Sequence, residues 1–192
     1  MNNKINVALI YGSNREGRFC DKVAQWAQAQ IASRSEFSLD VIDPKTLALP
    51  IQHERKERSE LTALRRRIER ADAFVIVTPE YNHGYPAALK SLIDSVYDEW
   101  LAKPVAFVSY GGISGGLRAV EQLRLVFAEL HAVTIRDSLS FANAWEQFNA
   151  AGELLEPNRA RKSMATLLAQ LQWWAVALRD ARNAAPYGRA AA

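Results

Sequence analysis

The sequence predicts an α/β domain built on a parallel sheet of five strands with helices on both faces. Four short β-rich runs and a weaker fifth alternate with stretches of helical periodicity. Three of those runs are nearly continuous in Val, Ile, Ala and Phe, the pattern of strands covered on both sides. Each of the three is followed by a loop of unusual composition and then by a helix.

The first run is Ile5 to Tyr11, after which Val23, Ala27 and Ile31 recur on one helical face. The second is Phe37 to Ile42. The densely charged stretch from Glu54 to Arg70 keeps Leu61, Leu64 and Ile68 at helical spacing, so it reads as an amphipathic surface helix. The third run is Ala73 to Pro79; Leu89, Leu92, Ile93, Val96 and Tyr97 follow, with Pro86 where a first-turn proline is tolerated. Pro104 to Tyr110 is the fourth run, followed by Leu117, Val120, Leu123, Phe127 and Leu130 on one face. The fifth is Ala132 to Arg136. A loop is expected around Phe141 to Gly152, then a helix from near Pro157 in which Leu167, Leu171, Trp174 and Leu178 pack. Asn183 to Ala192 reads as a frayed tail. With no internal repeat and no linker, residues 1–192 are expected to form a single domain.

Composition narrows the function. At 192 residues the chain can bury a core and a cofactor without disulfides. Its longest apolar runs, such as Phe74 to Val77 and Val105 to Val108, fall far short of the roughly 18 residues a membrane helix needs. Met1 to Asn6 lacks the regions of a secretory signal, so a cytoplasmic location is expected. Cys20 is the only cysteine, which excludes an intrachain disulfide and a cysteine-based zinc site. The net charge is +3, but the residues from Pro157 onward carry +5 and the rest −2. That excess reads as solvated charge on one helix and tail, and no nucleic-acid partner is expected.

The chemistry is expected beyond the carboxyl ends of the strands, where an open parallel sheet binds its ligands. Three segments stand there: Gly12 to Arg18, Thr78 to Pro86, and Ser109 to Gly116. The first combines a glycine turn, a hydroxyl, two guanidinium groups and the N–H groups of a following helix, which suits a phosphate. Gly12 and Gly17 imitate the nucleotide-hydrolase spacing, but Arg18 and Phe19 stand in place of its lysine and magnesium-binding hydroxyl. A dinucleotide fingerprint would need glycine at Asn14. A mononucleotide is therefore the expected cofactor. The second segment offers Pro79, Tyr81, His83 and Gly84, flat or small groups that suit a planar ring. In the third, glycine lets backbone reach a ligand where a side chain would collide.

On these residues the chain resembles the NADPH-dependent FMN reductases of flavodoxin-like fold, among them azo, quinone and chromate reductases. The resemblance rests on Gly12-Ser13-Asn14-Arg15, on Pro79-Glu80-Tyr81-Asn82 continued by Pro86, Leu89, Lys90 and Asp94, and on Ser109 to Gly116. It extends more weakly from about Lys4 to Leu139. It implies a three-layer sandwich of strand order 2-1-3-4-5, bound flavin mononucleotide (FMN), NADPH or NADH as co-substrate, and a homodimer or homotetramer. It implies further that Ser13 and Arg15 hold the phosphate, that Pro79, Glu80, Tyr81 and Asn82 line the ring and ribityl chain with Gly84 close by, and that the backbone of Ser109, Tyr110, Gly111 and Gly112 meets the polar edge of the ring. Arg18, Phe19 and Cys20 complete the expected phosphate site, although many members carry serine at position 18 and asparagine at position 20.

The function so implied is an oxidoreductase that takes hydride from a nicotinamide nucleotide and passes electrons to a small acceptor: a quinone, flavin, azo compound or oxidised metal. The flavin performs the chemistry, so no side chain is named as acid or base. His83 is read mainly as a loop residue, and no metal cluster is expected among the three dispersed histidines. Trp100, Trp145, Trp173 and Trp174 are candidates either for a subunit interface or for packing within the monomer. Two rival readings stand beside this one. A flavodoxin-type electron carrier would leave nicotinamide unused, and a non-catalytic nucleotide-sensing protein would use the Glu54 to Arg70 helix as a contact surface.

Overall fold

The structure, a computed structural model, describes residues 4–47 and 59–188. Strands β1 (Ile5–Tyr11), β2 (Phe37–Ile42), β3 (Ala73–Pro79), β4 (Pro104–Gly111) and β5 (Val133–Ala142) form one sheet. Their order is β2-β1-β3-β4-β5, and every neighbouring pair is parallel. This is the flavodoxin-like arrangement, in which the strand order reverses between β1 and β3, the place where such sheets bind their ligands. The helices among the described residues are α1 (Cys20–Ala32), α2 (Ser59–Arg70), α3 (Ala87–Asp94), α4 (Leu117–Glu129), α5 (Ala144–Gln147) and α6 (Pro157–Ala184). None of them is long and apolar enough to cross a membrane.

Alternation along the strands builds two cores. Val7, Leu9 and Tyr11 of β1 face α1 and α6, while Ala8 and Ile10 face the layer of α2, α3 and α4. Both sets are buried, which is why the run is continuously apolar. Trp100 is fully buried against Phe74 and Phe127, so it packs within the monomer.

The carboxyl half of the chain departs from the sequence expectation in three places. β5 continues to Ala142 instead of ending near Arg136, and so takes in Phe141 and Ala142. The reason is a register shift: Thr134 pairs with Val105 but Ser138 with Phe107, so extra residues loop out and the strand resumes. Arg124 holds that bulge by donating to the carbonyls of Ile135 and Arg136 at 2.8 and 3.0 Å, and Gln170 donates to the Asp137 carboxylate at 2.9 Å. On α6, Leu167 and Leu171 are buried as expected. Trp174, however, is 36% exposed, and Met164, Leu168 and Ala175 complete the packed face. Finally, Asn183 and Ala184 still belong to α6, and beyond them the Tyr187 hydroxyl lies 2.9 Å from His131 Nδ1. Residues 189–192, His53 and the start of the charged helix at residues 54–58 lie outside the described residues.

The amino edge of the sheet is bolted by charge. Asp72 accepts from Asn6 N at 2.9 Å and sits 3.5 Å from Arg179 and 3.8 Å from Arg182, tying α6 to β1 and β3. Beside it Lys103 is buried, and its Nζ donates to the carbonyls of Ile68 and Glu69 at 2.8 and 2.7 Å, capping α2. Burial, with Arg182 adding repulsion, lowers the Lys103 ammonium to about 8. An unfolded lysine titrates near 10.4, so between those values the unfolded chain binds more protons and stability rises with pH. Urea unfolding from pH 7 to 10 should therefore show the wild type gaining up to about 3 kcal/mol relative to Lys103→Met. Parallel curves for the two proteins would show that Lys103 titrates normally.

Candidate functional site

Three loops stand at the carboxyl ends of β1, β3 and β4, and the structure joins them directly. The loop after β1 starts at Gly12, whose N–H donates to Val77 O at 2.7 Å. A Cβ there would come within 2.7 Å of that oxygen and 2.8 Å of Thr78 Cα, so only glycine lets the loop leave the sheet at this angle. Ser13 is fully buried, and its Oγ lies 2.9 Å from the Tyr81 hydroxyl in the second loop. Arg15 is exposed, with its guanidinium carbon 3.7 Å from the centroid of the Tyr81 ring.

Arg18 points the other way. Its guanidinium is bound by both oxygens of Asp43 and by Asp21, and it donates back to the carbonyl of Ser13. The Asp43 hydrogen bonds above all hold it charged against the cost of burial. It is an internal brace for the loop. Phe19 is half-buried between Tyr110 and Phe148, and Cys20 is fully buried with Sγ 3.7 Å from Val77 O. Burial raises the Cys20 thiol to about 11. The side chains of positions 18 and 20 thus face the protein, and the loop presents backbone instead. The N–H groups of Asn14, Glu16, Gly17 and Phe19 donate to no protein acceptor among the described residues.

In the second loop, Tyr81 and Gly84 exchange backbone hydrogen bonds of 2.9 and 3.1 Å around Asn82 and His83 at φ of 50° and 67°. The result is a tight two-residue turn of the primed kind. Pro79 ends β3, buried, and the side chains of Asn82 and His83 are exposed. Glu80 turns away from the turn: its Oε2 accepts from Arg118 N at 3.1 Å and its Oε1 from the Arg118 guanidinium. Burial alone would raise this carboxyl, but the bonds from Arg118 and Ser114 hold it below its ordinary value. Glu80 therefore caps α4, whose own N-cap Gly116 has no side chain to do so.

The third loop folds back on itself. Ser109 Oγ and Ser140 Oγ both donate to Gly115 O, at 2.8 and 2.9 Å. The Tyr110 side chain is buried beside Cys20, and burial raises its hydroxyl above the usual range. What remains at the edge is backbone: Gly111 and Gly112 are partly exposed, and Gly112 O accepts from Asn143 N at 2.9 Å. Trp145 stands next to Gly112, 3.7 Å from where a Cβ would be, and is 58% exposed.

Sequence reasoning located the three loops but missed Arg118, Asp43, Asn143 and Trp145 as their supports. One of them carried a signal. A cation in the first turn of α4 opposes the helix dipole, which implies a carboxylate partner nearby. A cavity of about 660 Å³ beside β5 and the start of α6 contains none of the loop residues. Among the described residues there is no cluster fit to hold a metal.

The residues fit a phosphorylated flat ligand. N–H groups without an acceptor among the described residues, a buried hydroxyl and an exposed guanidinium meet in one loop, and glycine backbone lines the opposite side. Comparison with known proteins points the same way. A sequence profile of the NADPH-dependent FMN reductases matches residues 5–146. The chain is 35% identical over 140 residues to an NAD(P)H-dependent FMN reductase of Saccharomyces cerevisiae, covering 64% of this chain and 73% of that protein. It is 30% identical over 186 residues to a 2-hydroxy-1,4-benzoquinone reductase of a Burkholderia species, covering 93% and 98%. Among solved structures it resembles a flavoenzyme NAD(P)H:(acceptor) oxidoreductase from Paracoccus denitrificans, with a TM-score of 0.71, 23% identity and coverage of 88% and 97%.

Proposed function

The chain belongs to the NADPH-dependent FMN reductase family, and from that premise we propose that it reduces small quinone-type acceptors with a nicotinamide nucleotide, using FMN held by the three loops. Bound FMN supplies a ring that accepts hydride from the nicotinamide and yields electrons to the acceptor. The protein's part is to bind, orient and leave one face open. Arg15 and the Ser13 hydroxyl bind the phosphate together with the free N–H groups between Asn14 and Phe19. Arg18 and Cys20 enter as braces, through Asp43 and the core. The backbone of Pro79 to Asn82 with Gly84, and that from Ser109 to Gly112, line the ring. No side chain is assigned as acid or base. The observation that carries the reading is the loop after β1, where a buried hydroxyl, an exposed guanidinium and N–H groups with no acceptor among the described residues come together.

Association into a homodimer or homotetramer belongs to the same proposal, supported by the exposed Trp145, Trp173 and Trp174. So does a cytoplasmic location, which agrees with the free, buried Cys20 thiol.

The test is an absorption spectrum of the purified, FMN-loaded protein followed by stopped-flow mixing with NADPH or NADH and then a benzoquinone. Bleaching of the flavin band by a nicotinamide nucleotide and its return with quinone are expected. A band that stays oxidised with both nucleotides would leave the electron-carrier reading, and absence of any flavin would leave the sensing one.

A further inference from the structure

We infer that Tyr81 is a positioning residue for the phosphate end of the cofactor and not a platform for its ring. This rests on the FMN reading above and refines it. Two observations carry it. The Tyr81 hydroxyl is 2.9 Å from Oγ of buried Ser13, and the Arg15 guanidinium carbon stands over the Tyr81 ring, 3.7 Å from its centroid. One side chain thus touches two donors of the phosphate loop, the Ser13 hydroxyl and the Arg15 guanidinium, and the face Arg15 covers is closed to a flavin.

The shelf is itself fixed. Tyr81 is held by the paired bonds to Gly84, and Glu80, one residue earlier, is clasped by Arg118. A free arginine has many rotamers to lose on binding an anion. Resting the guanidinium on a rigid ring removes much of that loss beforehand, which is preorganisation. The hydroxyl acts in the same sense: by accepting from or donating to Ser13 Oγ it fixes the rotor of a serine whose other Oγ partner among the described residues is the Arg15 N–H, 3.4 Å away.

Titration of the apoprotein with FMN and with riboflavin, followed by quenching of flavin fluorescence, separates the two ends of the ligand. Tyr81→Phe keeps the shelf and loses the hydroxyl, and it is expected to weaken FMN roughly threefold to tenfold. Tyr81→Leu loses both and is expected to weaken it by roughly tenfold or more. Riboflavin affinity should stay within about a factor of two in both variants, since it has no phosphate. In the cycle with Ser13→Ala, the double variant with Tyr81→Phe should be no worse than the poorer single variant, because the two act as one unit. An equal loss of riboflavin and FMN would overturn the inference in favour of a ring platform, as would additive effects in the cycle. Should the wild type bind neither ligand, the inference falls together with the FMN reading. A wild type that binds both, with variants that lose both equally, sinks the inference alone.

Discussion

Replacing Arg15 with alanine is expected to weaken FMN by roughly 10- to 150-fold, the equivalent of the ~1.5–3 kcal/mol carried by hydrogen bonds to a charged group. Riboflavin should be nearly indifferent, because the missing guanidinium would have met only the phosphate. The size follows from what stands around Arg15. Arg18, the other cation of the loop, is committed to Asp43 and Asp21 and is in no position to substitute. Arg15 is exposed and makes no ion pair among the described residues, so its removal leaves no buried charge and should cost little stability. Isothermal titration with the two ligands measures both effects. Comparable losses for FMN and riboflavin would assign Arg15 to the ring or to the fold.

Gly115→Ala should destabilise the protein by about 2–6 kcal/mol, the sum of a left-handed alanine and an overpacked site. Gly115 has φ of 60°, and a Cβ on it would collide with Ser140 Oγ and lie 3.0 Å from Ala142 N. Those are the residues that fasten the third loop to β5, so the same change should also loosen FMN. Gly17→Ala is the matched control. It has the same φ of 60° with nothing within 4 Å of its Cβ, and so isolates backbone strain from collision. Thermal unfolding of both variants should place Gly115→Ala well below Gly17→Ala, at roughly 2–4 °C for each extra kcal/mol. Equal midpoints would show that the loop shifts to accept the methyl group.

The bounds of β1, β2 and β3 were legible in the sequence because burial on one or both faces dictates their apolar composition. β5 was not. Arg136, Asp137 and Ser138 break the pattern at the bulge, and what keeps the strand going is a set of bonds from Arg124 on the preceding helix and from Gln170, 33 residues past its partner. The same division runs through the site. The positions of the loops followed from strand ends and glycines, which are local. Which way each side chain turns depended on partners 25 to 38 residues distant: Arg18 inward to Asp43, Glu80 across to Arg118. Trp174 shows a subtler limit, since helical spacing names a face but not how far the sheet extends beneath it. Over a helix of 28 residues that uncertainty decides which aromatic is covered.

The bulge in β5 also bears on solubility. A border strand with a flat row of bare amides invites another chain to add itself there, the first step toward fibrils. Here two carbonyls are already capped by Arg124, the backbone is kinked out of line, and Arg136 stands 95% exposed at the kink with its charge toward water. An incoming strand would have to bury that guanidinium and straighten the kink, so the β5 border of the sheet resists the edge-on addition of another strand.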